Sequence, residues 1–407
     1  MSLEHIDLLD FDLYADAAPH DTWERLRNEA PVFWQPESDG GPGFWSVLKY
    51  EDVKHVSRTP ELFSSGQGTN IFDADPETLA ILQGIMINMD PPRHGLYRGH
   101  INKGFTPRRV AHLERYAAEV ARDIVDAIAE RGECDFVEDV AAILPMTVIC
   151  EMFGIPEGER RYAYELANRL IAADDPEVLG EETSDEVFME VFAYATQLAA
   201  YKREHPGEDL ATTLVHGEID GQPVDDLVFG TFVIMLVVAG NETTRTVTTN
   251  GMRRLIEHPD QRAAIAADFD LLPNALEEML RFDPAVHHFR RSVLADTEVR
   301  GQPLREGEKI VMWYGSANRD EDVFADAHRF DIRRANARDH LAFGIGQHFC
   351  LGANLARLQL RTIFTEVLSR IPDMELAGAP RRLRSNFING VKEMRVRFTP
   401  VAKLGPL

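Results

Sequence analysis

Cysteine is scarce in this chain: the 407 residues contain three, Cys134, Cys150 and Cys350. No two stand at zinc-ligand spacing, and so sparse and odd a count excludes a disulfide framework and suggests a reducing compartment. Positive charge is also short. Lysine and arginine number 43 against 67 aspartates and glutamates, a formal net charge of −24. So acidic a surface argues against nucleic acid, and against an anionic membrane, as the main partner. The longest apolar run, residues 229–240, is interrupted and too short to span a bilayer. The N-terminus lacks the charged-then-apolar pattern of an export signal. The expectation is a soluble, cytoplasmic protein without a membrane anchor. Low-complexity tracts, fixed-period repeats and long linkers are missing too, which points to one domain over 1–407.

What the chain does have is helical periodicity. The pattern predicts helices over 21–29 (opened by its own Asp21), 50–58, 93–103, 108–130, 136–153, 224–258, 274–282 and 351–370. Helices over 157–204 are broken by Asp174-Asp175-Pro176 and an acidic stretch through Asp185. Alternation over 31–50 about a Gly-Gly-Pro-Gly turn reads as a hairpin, and 61–70 as a loop. Short strands are expected at 287–294, 297–299, 309–314, 383–387 and 394–398. The fold class is mainly α with a small β region.

Four segments carry chemistry. In HLAFGIGQHFCLGANLAR, residues 340–357, Gly344 and Gly346 permit a tight turn with positive φ. The turn leaves Cys350 at the entrance of a helix, whose free N–H groups favour a thiolate. Gly352 leaves the backbone open to a flat, bulky group, and Phe343 can cover the sulfur. A lone cysteine held this way suits an iron ligand. In the longest helix, Ala239-Gly240-Asn241-Glu242-Thr243-Thr244-Arg245 places glycine, two threonines and an acid inside an apolar stretch. These residues cost helix propensity and desolvation, costs a sequence accepts for function. His94 and Arg98, four apart, share a helix face, and Glu278 and Arg281 form an i,i+3 acid–base pair.

Taken in order, these motifs resemble the cytochrome P-450 superfamily, over roughly residues 30–398. The resemblance implies a triangular, prism-like helical domain enclosing haem b (iron protoporphyrin IX), and insertion of one atom of O2 into a C–H bond. It implies Cys350 as the axial iron ligand, pushing electron density toward O–O cleavage, with Phe343, Gly344 and His348 in the haem loop. His94 and Arg98 correspond to the family's propionate ligands. Arg291, or its neighbour Arg290, corresponds to a third. Ala239 and Gly240 lie beside the distal iron position, where Gly240 leaves space. Thr243 is the hydroxyl that hydrogen-bonds dioxygen, and Glu242 the acid that relays protons from solvent. Glu278 and Arg281 match a buried structural pair bonded to the coil before the cysteine loop. The 157–204 region matches a mobile lid.

The pocket is expected to be lined by Met86, Asn88, Val238, Ala239, His287, Phe289 and Phe387. The strings NMDPPRH, VVAGNETTR, WYGSANRD, HFCLGANLAR and SNFINGVKEMRVRF are similar to those of actinobacterial enzymes that oxidise sterol side chains and methyl-branched lipids. Terpene-oxidising relatives share several of them, so a terpenoid is the alternative substrate. His287-His288 departs from the family by being more polar than a plain sterol tail requires, although strand alternation points one of the two outward. The implied partners are a hydrophobic small molecule, O2 and a ferredoxin-type electron donor with an NAD(P)H-dependent reductase. Arg108, Arg109, Arg357 and Arg361 form the expected docking patch. Two rival readings are a peroxide-driven peroxygenase, opposed by Glu242-Thr243, and a haem sensor, opposed by the want of an output module.

Overall fold

The helix Asp226–Glu257 is the axis on which the rest is assembled, in a computed structural model that describes residues 3–37, 40–171 and 183–405. Asp225 starts it, its side chain accepting from the Val228 N–H at 2.8 Å, which satisfies one of the free donors of the first turn. Phe229, Phe232, Val233 and Val237 are buried, and so, further on, are Thr246, Thr248, Thr249 and Asn250. This is a core helix wrapped on nearly all sides. It packs against Ile143–Phe153, Ser184–Glu204, Leu272–Phe282 and Ala353–Arg370. Among the described residues it alone is long and apolar enough to cross a membrane, a property that such a buried core helix shares.

Beside this helical body lies a five-stranded sheet in the order Val32–Gln35, Phe44–Val47, Lys309–Trp313, His288–Val293, Phe63–Ser64. The expected hairpin is there, with Trp34 opposite Trp45. Lys309–Trp313 runs parallel to Phe44–Val47 and antiparallel to His288–Val293. The short strand Phe63–Ser64, inside a stretch expected as loop, closes the sheet edge on Val293.

Several expectations are corrected. No strand forms over 383–387. The strands there are Arg381–Arg382 with Val391–Glu393, and Arg395–Arg397 pairs instead with Glu133–Asp135 and Glu375–Leu376. The Ser385 hydroxyl accepts from the N–H groups of Phe387 and Ile388, both at 3.1 Å, and so turns the chain where alternation suggested extension. The first α-helix is His20–Glu29 with Pro19 at its cap, and Asp21 sits in the first turn without a capping bond. Residues 136–153 are not one helix, since a π-helical turn, Val137–Ala141, precedes Ile143–Phe153. Asp174-Asp175-Pro176 lies outside the described residues. The helices on either side are Arg160–Ile171 and Ser184–Glu204, the latter opened by a Thr183/Glu186 capping box.

Candidate active site

The cysteine loop is built by backbone. Gly344 and Gly346 take φ of +66° and +77°, and a Cβ at Gly346 would sit 2.7 Å from the Ser57 carbonyl oxygen. Only glycine fits there. The Cys350 N–H donates to the Phe343 carbonyl at 2.8 Å, closing the turn. The helix begins at Ala353, two residues later than expected, with Gly352 as its cap. The Gly352 N–H reaches the Cys350 sulfur and, with Arg98 and Arg357, favours thiolate, but burial outweighs all three and raises the thiol pKa. A Cβ on Gly352 would meet nothing closer than that sulfur, at 4.0 Å. Phe343 lies against the loop with the Arg357 guanidinium 4.6 Å over its ring.

Basic side chains from three elements converge beside this loop. His94 and Arg98 come from the helix Arg93–Asn102, His348 from the loop, and Arg291 from the sheet. The rings of His94 and His348 lie 4.4 Å apart. His94 Nε2 has no partner. The Arg291 side chain is buried and bonds to the Arg290 carbonyl at 2.7 Å, while Arg98 reaches only the Gln347 carbonyl at 3.3 Å. Neither arginine forms an ion pair among the described residues. Burial, aided by Arg291, His94 and Arg98, pushes the His348 pKa down to about 2. The cations here are Arg98 and Arg291, and Asp90 acts on Arg291 and His94 without pairing with either, an arrangement that is unfavourable unless a further anion belongs there. The neighbouring Arg290 points the other way, onto Asp73 at 2.6 Å.

The central helix runs without a break through 239–245. The Thr243 hydroxyl donates back to the Ala239 carbonyl at 2.6 Å. Ala239 is exposed and Thr243 and Val238 are half-buried, although the helix around them is core, so these three front an open space. Glu242 is 2% exposed, accepts from the Thr246 hydroxyl at 3.0 Å and pairs with Arg245. Burial raises its pKa, against the lowering by Arg245 and Thr246. A Cβ at Gly240 would press on the end of the Ile149 side chain, on the helix Ile143–Phe153. Gly240, with no side chain, makes room for Ile149.

Glu278 and Arg281 are both fully buried and paired at 2.7 Å. Arg281 also donates to the carbonyls of Asn318 and Ala327, at 2.8 and 3.0 Å. Spacing alone missed a third member, Arg334, whose Nε lies 3.1 Å from Glu278 and which binds the Asp326 and Arg329 carbonyls. The triad pins the 318–334 coil that leads into the cysteine loop. Only its position in that coil, 56 residues from Glu278, could have signalled it.

A family profile described as Cytochrome P450 matches residues 199–371. Over 97% of its length the chain is 40% identical to a steroid C26-monooxygenase of Rhodococcus jostii, covering 85% of that protein. It is 39% identical to a linalool 8-monooxygenase of Pseudomonas putida, over 98% of this chain and all of the other. It is equally identical to a methyl-branched lipid omega-hydroxylase of Mycobacterium tuberculosis, over 96% and 94%. A cytochrome P450 of Mycobacterium marinum in complex with pseudoionone superposes with a TM-score of 0.90 at 38% identity, over 97% of this chain and 98% of that one.

The chain belongs to the cytochrome P450 family. It is a monooxygenase that hydroxylates a hydrophobic substrate, and the family's cofactor is a haem held by cysteine thiolate. The donor set described above fits that cofactor. Haem brings two carboxylates, and His94, Arg98 and Arg291 are donors that lack carboxylate partners.

The other expected residues of this P450 are dispersed. Met86 is buried in the main apolar core. Asn88 spends its side chain on the chain itself, accepting from Thr69 at 3.0 Å and donating to the Leu82 carbonyl at 2.9 Å. Phe289 and Phe387 are half-buried and pack edge to face, 5.6 Å apart. His287 is not a pocket residue. It is 1% exposed and lies 5.5 and 5.4 Å from the rings of Tyr14 and Trp23, drawn into an N-terminal aromatic cluster. His288 is likewise buried, between Trp313 and Phe387. The docking patch also changes. Arg109 is spent on the Gly104 and Glu208 carbonyls and on Thr213, and Arg357 on Glu277. Arg108 and Arg361 are exposed, each paired with a surface glutamate.

Proposed function

We propose that this P450 hydroxylates a sterol side chain or a methyl-branched lipid with haem b as cofactor. The observation that carries the haem assignment is the meeting of Cys350 with three donors, His94, Arg98 and Arg291, that lack carboxylate partners. Cys350 would bind the iron, the three donors the propionates, and His348 would brace His94 from the loop. When bound, the haem activates dioxygen and transfers one oxygen atom to the substrate. The protein's part is to exclude water, hold the substrate and supply protons. Thr243 offers its hydroxyl at the open face of the central helix. Glu242 is the buried acid that passes protons toward it, recharged from solvent past Arg245. Glu278 and Arg281, with Arg334, hold the loop rigid.

The substrate reading rests on the pocket wall and on the relatives. Val238, Ala239, Phe289 and Phe387 are apolar, and the two imidazoles that suggested a more polar substrate are turned into other packing. The linalool 8-monooxygenase supports a terpenoid as second reading. Electrons would come from a ferredoxin-type protein and an NAD(P)H-dependent reductase, in the cytoplasm, to one domain over 1–407. The test is a haem absorbance titration with a sterol ketone, a branched fatty acid and a monoterpene. A tight response to the sterol or the branched acid alone supports the proposal. A response to the monoterpene alone transfers it to terpenoids.

A further inference from the structure

In the coil that leads into the cysteine loop, Arg319 is 1% exposed. Its Nη1 has no hydrogen-bond partner, and no carboxylate lies at ion-pair distance from it among the described residues. Its guanidinium lies 4.0 Å over the Phe282 ring, a contact that offsets only part of the desolvation of a full charge. The acid that acts on it most is Asp283, but Arg254 already binds that carboxylate through Nε at 2.6 Å and Nη2 at 3.1 Å. Arg253 stands 3.8 Å from the same carboxylate. Burial among these cations pushes the Arg319 pKa down to about 9 and that of Arg382 to about 10. Arg253, Arg254, Arg319 and Arg382 together face Asp283 and Glu257. Positive charge is in surplus.

Three more buried side chains have unpaired nitrogens, two of them, His20 and His287, close enough to feel the Arg319 charge, with the third, Trp23, lying against both. Trp23 is fully buried with Nε1 unpartnered, His287 is 1% exposed with both ring nitrogens unpartnered, and His20 has a buried, unpartnered Nδ1. The Trp23 ring lies 5.4 Å from His287 and 5.5 Å from His20. Arg319 is the charge acting most strongly on His20, and it acts on His287 as well. A guanidinium and an indole can only donate, and a neutral imidazole turns its one N–H to whichever side the tautomer allows. A cluster of donors with positive charge to spare calls for an acceptor that carries negative charge and brings no hydrogens of its own.

We propose that a small monovalent inorganic anion, of chloride size, is held between the Arg319 guanidinium, Trp23 Nε1 and the rings of His20 and His287. The anion joins the helix His20–Glu29 to His287, just before the strand His288–Val293, and to the coil carrying Arg319, and it compensates charge that Asp283 and Glu257 do not. Stability of the holoenzyme then depends on which salt is present, beyond ionic strength.

The direct test is a crystal of the holoenzyme grown with bromide replacing chloride. The expected result is an anomalous peak within hydrogen-bond reach of Arg319 and of Trp23 or His287. Water at that position, in a crystal that binds bromide elsewhere, overturns the proposal. In solution, chloride titrated against gluconate at constant ionic strength should raise the thermal midpoint saturably. Trp23→Phe should weaken that apparent affinity about tenfold or more, the scale of one lost hydrogen bond to a charge. Arg319→Met should abolish the response if it folds. Equal midpoints in chloride and gluconate for the unaltered holoenzyme contradict the site without recourse to any variant.

Discussion

Glu242 is bound to Arg245, not to Thr243. The carboxylate shares a helix face with residues three and four further on, whereas Thr243 stands about 100° round the helix and bonds to its own backbone. An acid that relays protons from this position must leave one partner to approach the other. Arg245 therefore sets how firmly Glu242 is held and how readily it loses its proton. Removing the guanidinium takes away the strongest influence lowering the Glu242 pKa and leaves desolvation, which raises it. Because Glu242 must be protonated to donate, Arg245→Ala should move the alkaline limb of the pH–turnover profile to higher pH, and Arg245→Lys should return it part of the way. An unchanged profile in Arg245→Ala would detach Arg245 from proton delivery.

The same shift has a stability consequence. The folded pKa of Glu242 lies above its unfolded value, so the folded state holds the extra proton between the two. This residue's contribution is most favourable below the unfolded pKa, and it declines as pH rises through the folded one. Glu242→Gln removes that decline. Urea midpoints taken from acid to neutral pH should fall less steeply for the variant. Its turnover should drop about a hundredfold or more, as for a missing general acid.

Thr243→Ala tests the hydroxyl separately. If Thr243 guides protons to dioxygen, the variant should consume NAD(P)H at near the normal rate while yielding less hydroxylated product. The ratio of product to NAD(P)H consumed reports this. A ratio equal to the parent's would mean that the hydroxyl serves only its bond to Ala239.

The two adjacent arginines of the strand His288–Val293 separate haem binding from stability. Arg291→Met should speed haem transfer to an apo-globin acceptor. Arg290→Met breaks the Asp73 pair on the other face and should lower the thermal midpoint without changing haem transfer. Glu278→Ala leaves two buried guanidiniums, Arg281 and Arg334, without their acid. The expected cost is about 3–5 kcal/mol in denaturant unfolding, with poor haem incorporation.

Much of this site was legible because its chemistry is local in sequence. The glycine turn before Cys350, the i,i+4 pair of His94 and Arg98, and the i,i+3 pair of Glu278 and Arg281 each lie within one turn or loop. What spacing could not show was set by tertiary contact. Arg334 joins Glu278 across 56 residues, Ile149 lies against Gly240, and His287 is claimed by Tyr14 and Trp23 from the far N-terminus. The strand expected over 383–387 failed for a local reason, the Ser385 hydroxyl competing for backbone N–H groups. The family resemblance favoured Arg291 and left its neighbour Arg290 as the alternative. Sequence could not show that Arg290 pairs with Asp73, a contact made across 217 residues.

In the mechanism proposed here the Cys350 thiolate is what enables this P450 to hydroxylate, and Cys350→His removes it. The variant offers the iron a neutral ligand in place of a thiolate and leaves His94, Arg98 and Arg291 in place. The measurement is hydroxylated product formed from the best-binding substrate with a surrogate ferredoxin and reductase, alongside haem content. The expected result is retained haem with hydroxylation lost. Hydroxylation at the parent's rate in the haem-replete variant would contradict that role of the thiolate.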